Sequence, residues 1–189
     1  MGNIAVHEFI TLDGVIEDPR WTMDYPFDPK MGAAIGAIMG ASQGLLLGRR
    51  TYEMFAPAWS GRSAEEDPGA PFMNESTKYV VSSTLSSADW SNSEILGAYS
   101  ADAIRALKDS IDGSLYVSGS ATLVRALLTD GLVDDLHLFV FPLTLGAGLR
   151  LFPEGSAPVK LGLKEAEAYE SGVVHLSYTA ASTSSGVTR

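Results

Sequence analysis

Gly44-Leu45-Leu46-Leu47-Gly48-Arg49-Arg50-Thr51-Tyr52 decides the architecture. The unbroken apolar run reads as a strand covered on both faces, as central strands of parallel sheets are. It passes without a loop into Gly48–Thr51, and Tyr52–Phe55 opens a helix. Two further strands follow the same plan. Lys78–Val81 ends in Ser82-Ser83-Thr84, and Leu115–Val117 runs through Ser118-Gly119-Ser120 into a helix over Ala121–Leu128. Ala101–Ile111 carries apolar residues at 103, 104, 107 and 111, which is helical spacing. Asn3–Leu12 mixes β-branched and aromatic residues, turns at Asp13-Gly14 and continues briefly through Val15-Ile16.

The remaining segments complete an α/β chain. Trp21–Pro29 reads as a loop. Asp28 before Pro29 fits an N-cap with proline at the first helical position. The helix that follows, Lys30–Ala41, has no charge after Lys30 and is expected to be buried on most sides. Its glycines at 32, 36 and 40 would admit another backbone closely. Gly61–Pro71 reads as a long exposed loop. Leu136–Phe141, Lys160–Tyr169 and Val173–Thr179 are strands without helices between them, and the last two form an antiparallel hairpin through Glu170-Ser171-Gly172. The expectation is one domain over residues 1–180, with a mostly parallel central sheet, antiparallel C-terminal strands and a polar tail at 181–189.

Composition narrows the classes. The 189 residues include 23 acidic and 13 basic side chains, a net charge of −10, which repels nucleic acid phosphates and anionic lipid. With no cysteine there is no disulfide, thiolate nucleophile or cysteine-held metal. No apolar stretch approaches the roughly 20 residues of a membrane span. The opening residues lack a signal-peptide pattern, and Val6 stands where a myristoylation signal wants Ser or Thr. A cytoplasmic protein without membrane or nucleic acid partners is expected.

In open α/β sheets, ligands bind beyond the carboxyl ends of the strands, where the next helices begin. Gly48-Arg49-Arg50-Thr51, Ser82-Ser83-Thr84 and Gly119-Ser120-Ala121-Thr122 all fall at such ends, so one edge would gather all three. Glycine lets a backbone approach a phosphate, helix N–H groups point at it, and hydroxyls add donors. Arg49-Arg50 is the one adjacent basic pair in the chain. An anionic, nucleotide-like ligand is therefore expected there. Neither a Walker A loop nor a GxGxxG is present, and Gly146-Ala147-Gly148 lacks a strand–turn–helix context. Trp21, Tyr25, Phe55 and Trp59 either line a substrate mouth or pack the loops shut. His7, His137 and His175 lie on separate strands without ligand spacing, so no metal is expected, and Ser118 and Ser120 lack the setting of a hydrolase nucleophile.

Thr11–Gly14 (Thr-Leu-Asp-Gly), Leu47–Glu53, Val81–Thr84, Val117–Leu123 and Pro142–Phe152, in this order, resemble the dihydrofolate-reductase-like superfamily. Within it, the chain is similar to the RibD C-terminal reductases of riboflavin biosynthesis and their stand-alone relatives. The resemblance covers roughly residues 3–180. It implies a three-layer fold with helices on both faces of the sheet, and NADPH as cofactor. Gly48, Arg49, Arg50, Thr51, Ser82, Ser83 and Thr84 would surround the adenosine 2′-phosphate and pyrophosphate. Gly119, Ser120, Ala121, Thr122 and Leu123 would hold the pyrophosphate from the other side, with Glu8, Phe9 and Ile16 flanking the nicotinamide. It also implies a homodimer joined through the late strands.

The departures from the pattern set the substrate question. Where dihydrofolate reductases carry a carboxylate on the first helix, Met31-Gly32-Ala33 has none. Glu8, Asp24 and Asp28 are the candidate acids, although Asp28 already has a capping role. No cysteine pair or zinc signature of the deaminase half occurs. The implied reaction is hydride transfer to a C=N or C=O of a small heterocycle, in the manner of 5-amino-6-(5-phosphoribosylamino)uracil reductase or on another substrate. Arg150, beside Gly146–Gly148, is the one candidate for a substrate phosphate. The competing reading is a dimeric nucleotide- or small-ligand-binding protein without turnover.

Overall fold

The computed structural model describes residues 2–180. Its strands are β1 (Asn3–Thr11), β2 (Ser42–Gly48), β3 (Thr77–Val81), β4 (Ser93–Gly97), β5 (Ser114–Ser118), β6 (Asp135–Phe141), β7 (Leu161–Ala168) and β8 (Val174–Ala180). Its α-helices are α1 (Pro29–Gly40), α2 (Arg49–Trp59), α3 (Ala70–Glu75), α4 (Ala101–Ser110) and α5 (Ala121–Thr129), with a 3-10 turn at Pro19–Asp24. The strands form one sheet in the order β4-β3-β2-β5-β1-β6-β8-β7. Pairing is parallel from β4 to β6 and antiparallel for β6–β8 and β8–β7. This is the α/β plan expected from the sequence. The tail at 181–189 lies outside the described residues.

The period-two alternation of strand side chains divides the core into two layers. Ile4, Val6 and Ile10 of β1, Leu46 of β2 and Leu136 and Leu138 of β6 face one side, under α4 and α5. Ala5 of β1, Leu45 and Leu47 of β2 and Phe139 and Phe141 of β6 face the other, with Met31, Ile38, Tyr52 and Met73 from α1, α2 and α3. Leu45, Leu46 and Leu47 are all fully buried, which is why that run carries no polar residue. Truncating one of them to alanine removes about 2–5 kcal/mol.

Four expectations change. Pro19–Asp24 is a 3-10 turn inside the segment read as loop, with Thr22 Oγ1 donating to Pro19 O at 2.7 Å. Helix α1 buries only Met31, Ile38 and Met39, and a Cβ at Gly36 or Gly40 would meet nothing within 4 Å. Close approach is used at Gly32 alone, and the neighbour is the Phe27 ring. Helix α3 begins at the end of the presumed loop, because Gly69 and Pro71 mark a helix start as readily as a loop. Strand β4 was not anticipated. It is an edge strand, half exposed and paired only to β3, so its sequence lacks a full apolar face.

The three histidines, dispersed in sequence, meet on one face of the sheet. His7 and His137 are in register between β1 and β6, and His137 Nδ1 lies 3.1 Å from His175 Nε2. His175 stacks on Phe139 with centroids 4.3 Å apart, and His7 Nδ1 bonds the Tyr116 hydroxyl at 2.6 Å. No group of three or more His, Asp or Glu side chains suited to a metal occurs among the described residues. Burial, then the charges of the other two, lowers His7 to about 3, and burial lowers His137 to about 4.

A depressed histidine contributes its stability above its unfolded value of 6.5, and loses it as the pH falls toward the folded value. The wild-type unfolding midpoint should therefore fall more steeply between pH 6.5 and 4 than that of His7→Gln. The difference amounts to at most about 1.4 kcal/mol per pH unit for one site. Parallel slopes in thermal melts would show that His7 is not held neutral.

Candidate functional site

Strand β5 lies between β2 and β1. The chain leaves β2 and β1 for helices on one face of the sheet, and leaves β5 for α5 on the other. A crevice therefore opens at the carboxyl end of β5, as at the strand-order reversals of other open α/β sheets. A cavity of about 720 Å³ occupies it, within the range of small-molecule sites.

Two helices start at this crevice directly after strands. Gly48 is the N-cap of α2 and Ser120 that of α5, and neither supplies a side-chain cap to its own helix. Their first N–H groups are left for an external acceptor, and each helix dipole favours an anion there. Ser120 is spent on the neighbouring turn instead. Its Oγ accepts from Gly48 N–H at 2.9 Å, and Thr51 Oγ1 accepts from Ser120 N–H at 2.9 Å. These two bonds fix the strand ends against each other. Gly119 and Ser120 are both left-handed, with φ of 64° and 60°, and the 119 position favours glycine for that reason.

The cavity walls include Glu8, Phe9, Ile16, Phe55, all of Gly48–Thr51 and all of Gly119–Leu123. The sequence-derived cofactor set is thus largely brought together, with three exceptions. Ser82, Ser83 and Thr84 do not line the cavity, although Val81 does. The Ser82 hydroxyl accepts from Thr84 N–H at 3.1 Å and Leu85 N–H at 2.9 Å, so it shapes its own turn.

Arg49 pairs with Glu53 at 3.1 Å one turn along α2, whereas Arg50 makes no salt bridge among the described residues. Arg50 is exposed and lines the cavity. The lining also includes Glu17 and Asp18. Asp18 is held low by Arg20, and Glu17 Oε2 accepts from Leu149 N–H at 3.1 Å.

Of the proposed substrate residues only Phe55 reaches the cavity. Trp21 and Tyr25 pack edge-on against Phe141, at 5.2 and 5.3 Å between centroids, and Trp59 stacks under Arg62. Arg150 is consumed by its own loop. It donates to Asp13 O at 2.9 Å and Gly146 O at 3.1 Å. Asp13 in turn accepts from Gly146 N–H at 2.8 Å and Leu145 N–H at 3.2 Å. The Thr11 hydroxyl first, then these N–H groups, bring Asp13 down to about 2. The Thr-Leu-Asp-Gly stretch is therefore a latch holding residues 145–150 beside the cavity.

Asp24 and Asp28 also lie away from the cavity, and Asp28 caps α1 through Lys30 N–H at 2.8 Å. Glu8 is the one candidate acid on the wall. It is 3% exposed, and its Oε1 has no hydrogen-bond partner. Burial pushes its pKa well above the usual carboxylate range, against the pull of the Gly119 N–H.

Residues missed from sequence include Met54, Tyr99, Leu149 and the acids Glu17 and Asp18. Met54 lies one helical turn from Arg50 and could have been inferred. Tyr99 follows the unrecognised β4 and had no local signal.

Loss of the Ser120 hydroxyl in Ser120→Ala leaves Gly48 N–H unsatisfied, at a cost of about 1–3 kcal/mol. Chemical denaturation should show that loss, and an unchanged midpoint would mean that the two turns are not coupled through this bond.

The family described as the RibD C-terminal domain matches residues 3–175. A candidate riboflavin biosynthesis protein of Shewanella sp. PV-4 superposes with TM-score 0.77 at 22% identity, covering 96% of this chain and 99% of that one. The Thermotoga maritima diaminohydroxyphosphoribosylaminopyrimidine deaminase/5-amino-6-(5-phosphoribosylamino)uracil reductase gives 0.66 at 18% identity, over 95% of this chain and 57% of that one. Enterococcus faecalis dihydrofolate reductase, complexed with NADP(H) and RAB-propyl, gives 0.60 at 18% identity, over 94% and 96%. The fold is dihydrofolate-reductase-like.

Proposed function

The chain belongs to the RibD C-terminal domain family, and from that premise we propose that it is an NADPH-dependent reductase of a small heterocyclic substrate. The observation that carries this reading is the make-up of the cavity lining. One cavity gathers two helix starts without side-chain caps, Arg50 without a salt bridge among the described residues, a buried acid and the apolar Phe9 and Ile16. Such a lining suits a ligand that carries both phosphates and an uncharged ring. NADPH supplies a hydride when bound. The residues that would hold it are Arg50 and the starts of α2 and α5 for its phosphates, and Glu8, Phe9 and Ile16 for its nicotinamide.

The substrate would present a C=N or C=O bond. Arg150 is engaged by Asp13 and Gly146, which removes the sequence-derived candidate for a substrate phosphate. A heterocycle without its own phosphate is therefore favoured over a phosphoribosylaminopyrimidine. A homodimer, as the family resemblance implies, and a cytoplasmic location belong to the same reading; no helix among the described residues is long and apolar enough to cross a membrane.

Thermal melts with NADPH and NADH test the cofactor assignment. NADPH should raise the midpoint more than NADH, and Arg50→Ala should weaken NADPH about ten- to a hundredfold, the worth of one charge-assisted bond at 1.5–3 kcal/mol. Equal shifts with both cofactors would overturn Arg50 as the 2′-phosphate residue. A chain that binds NADPH but never oxidises it across a panel of heterocycles would be the non-catalytic binder.

A further inference from the structure

Glu8 is a carboxyl group at the cavity with no cationic side chain paired to it among the described residues and only the Gly119 N–H to favour its charged form. It lines the cavity from β1, is 3% exposed, and Oε1 is sealed from solvent without a hydrogen bond. On β6 the residue in register with it is Leu138, and just past the end of β5 the Gly119 N–H donates to it. The charged and titratable groups that share the cavity are Glu17, Asp18, Arg49, Arg50 and Tyr99. Arg49 is paired with Glu53, no cation is paired with Glu8 among the described residues, and burial outweighs the Gly119 N–H. Tyr116 of β5 senses the Glu8 charge but is itself buried and pushed above the ordinary tyrosine range. His7, the preceding residue, points to the other face of the sheet and bonds Tyr116. An unpaired acid in such surroundings keeps its proton, because ionising it would strand a charge in a medium that screens poorly.

That surrounding changes when a positive charge arrives. Resting on the cofactor reading above, we propose that Glu8 is the proton donor of the reduction: it stays neutral while the cofactor is reduced and gives up its proton as the cofactor is oxidised. The balance is complete with groups already named. The C=N or C=O bond gains a hydride at carbon from NADPH and the Glu8 proton at nitrogen or oxygen. The substrate is reduced by two electrons, and NADPH becomes NADP⁺. The Glu8 carboxylate then offsets the positive charge of the oxidised ring, and takes a proton from solvent once product and cofactor leave. Net charge in the cavity is the same before and after the step, which a poorly screening site requires.

Calorimetric titration of the purified protein with NADP⁺ and NADPH, between pH 7 and 9 in two buffers of different ionisation enthalpy, tests this without a substrate. Both nucleotides carry the same phosphates, so their difference isolates the ring. Wild type should release close to one proton on taking NADP⁺ and none from this group on taking NADPH. Its NADP⁺ affinity should rise with pH by up to tenfold per unit below the Glu8 pKa. In Glu8→Gln the proton release and the pH dependence should vanish. NADP⁺ should weaken about tenfold relative to NADPH. Glu8→Leu gives the same comparison if the glutamine variant does not fold. Wild type binding both nucleotides with the same proton release and affinity ratio as the variants overturns the assignment of Glu8 alone. Wild type binding neither overturns the cofactor reading, and this proposal with it.

Discussion

β5 is flanked on both sides by strands whose chains leave the sheet toward the opposite face, and the site depends on that placement. A crevice at the end of β5 cannot be filled from either face, because α5 departs one way while α1 and α2 depart the other. The Gly48–Ser120–Thr51 bonds stop the crevice from widening, by tying the end of β2 to the turn after β5. Each bond is worth about 0.5–1.5 kcal/mol. Their structural effect is larger, since they hold two helix starts at a fixed separation with their N–H groups free.

The interior also carries more polarity than its hydrophobic composition implies, and the polar groups are handled differently. Lys78 is fully buried, yet its Nζ donates to Asn74 O at 2.6 Å and Ser91 O at 2.9 Å and lies over the Trp90 ring. It clamps α3 and the segment before β4 onto β3, and burial lowers it to about 8. His7 is bonded to Tyr116 and packs edge-on with Phe9 and Phe139. Glu8, one residue along, has no such arrangement. A buried carboxyl that faces a cavity with one oxygen left without a hydrogen bond is a residue whose environment a ligand can complete.

The latch formed by Asp13 and Arg150 illustrates how a motif can be recognised for the wrong reason. Thr11–Gly14 and Gly146–Arg150 both stand out in the chain, the first as a turn and family motif, the second as a glycine loop beside a candidate phosphate-binding arginine. They are one structural unit, joining segments more than 130 residues apart to form one side of the cavity. The same holds for Ser82, whose position after a strand suggests a phosphate site and whose hydroxyl instead closes its own turn.

The sequence by itself determined the principal strands and helices and their order, but not the short α3 or the edge strand β4, which lacks a full apolar face. Leu45–Leu47 had to be central because an apolar run of three cannot face water on either side. It also placed Arg49-Arg50 and Gly119-Ser120 at helix starts, because strand ends and caps are local features. Only the tertiary structure decided which of these residues share a cavity, that α1 presents most of its length to solvent, that three distant histidines meet, and that Arg150 is already occupied. Those facts depend on pairings between residues far apart in the chain. A local pattern records how a segment folds, whereas the partner that satisfies or strands a buried charge is set by the strand order that brings the segments together.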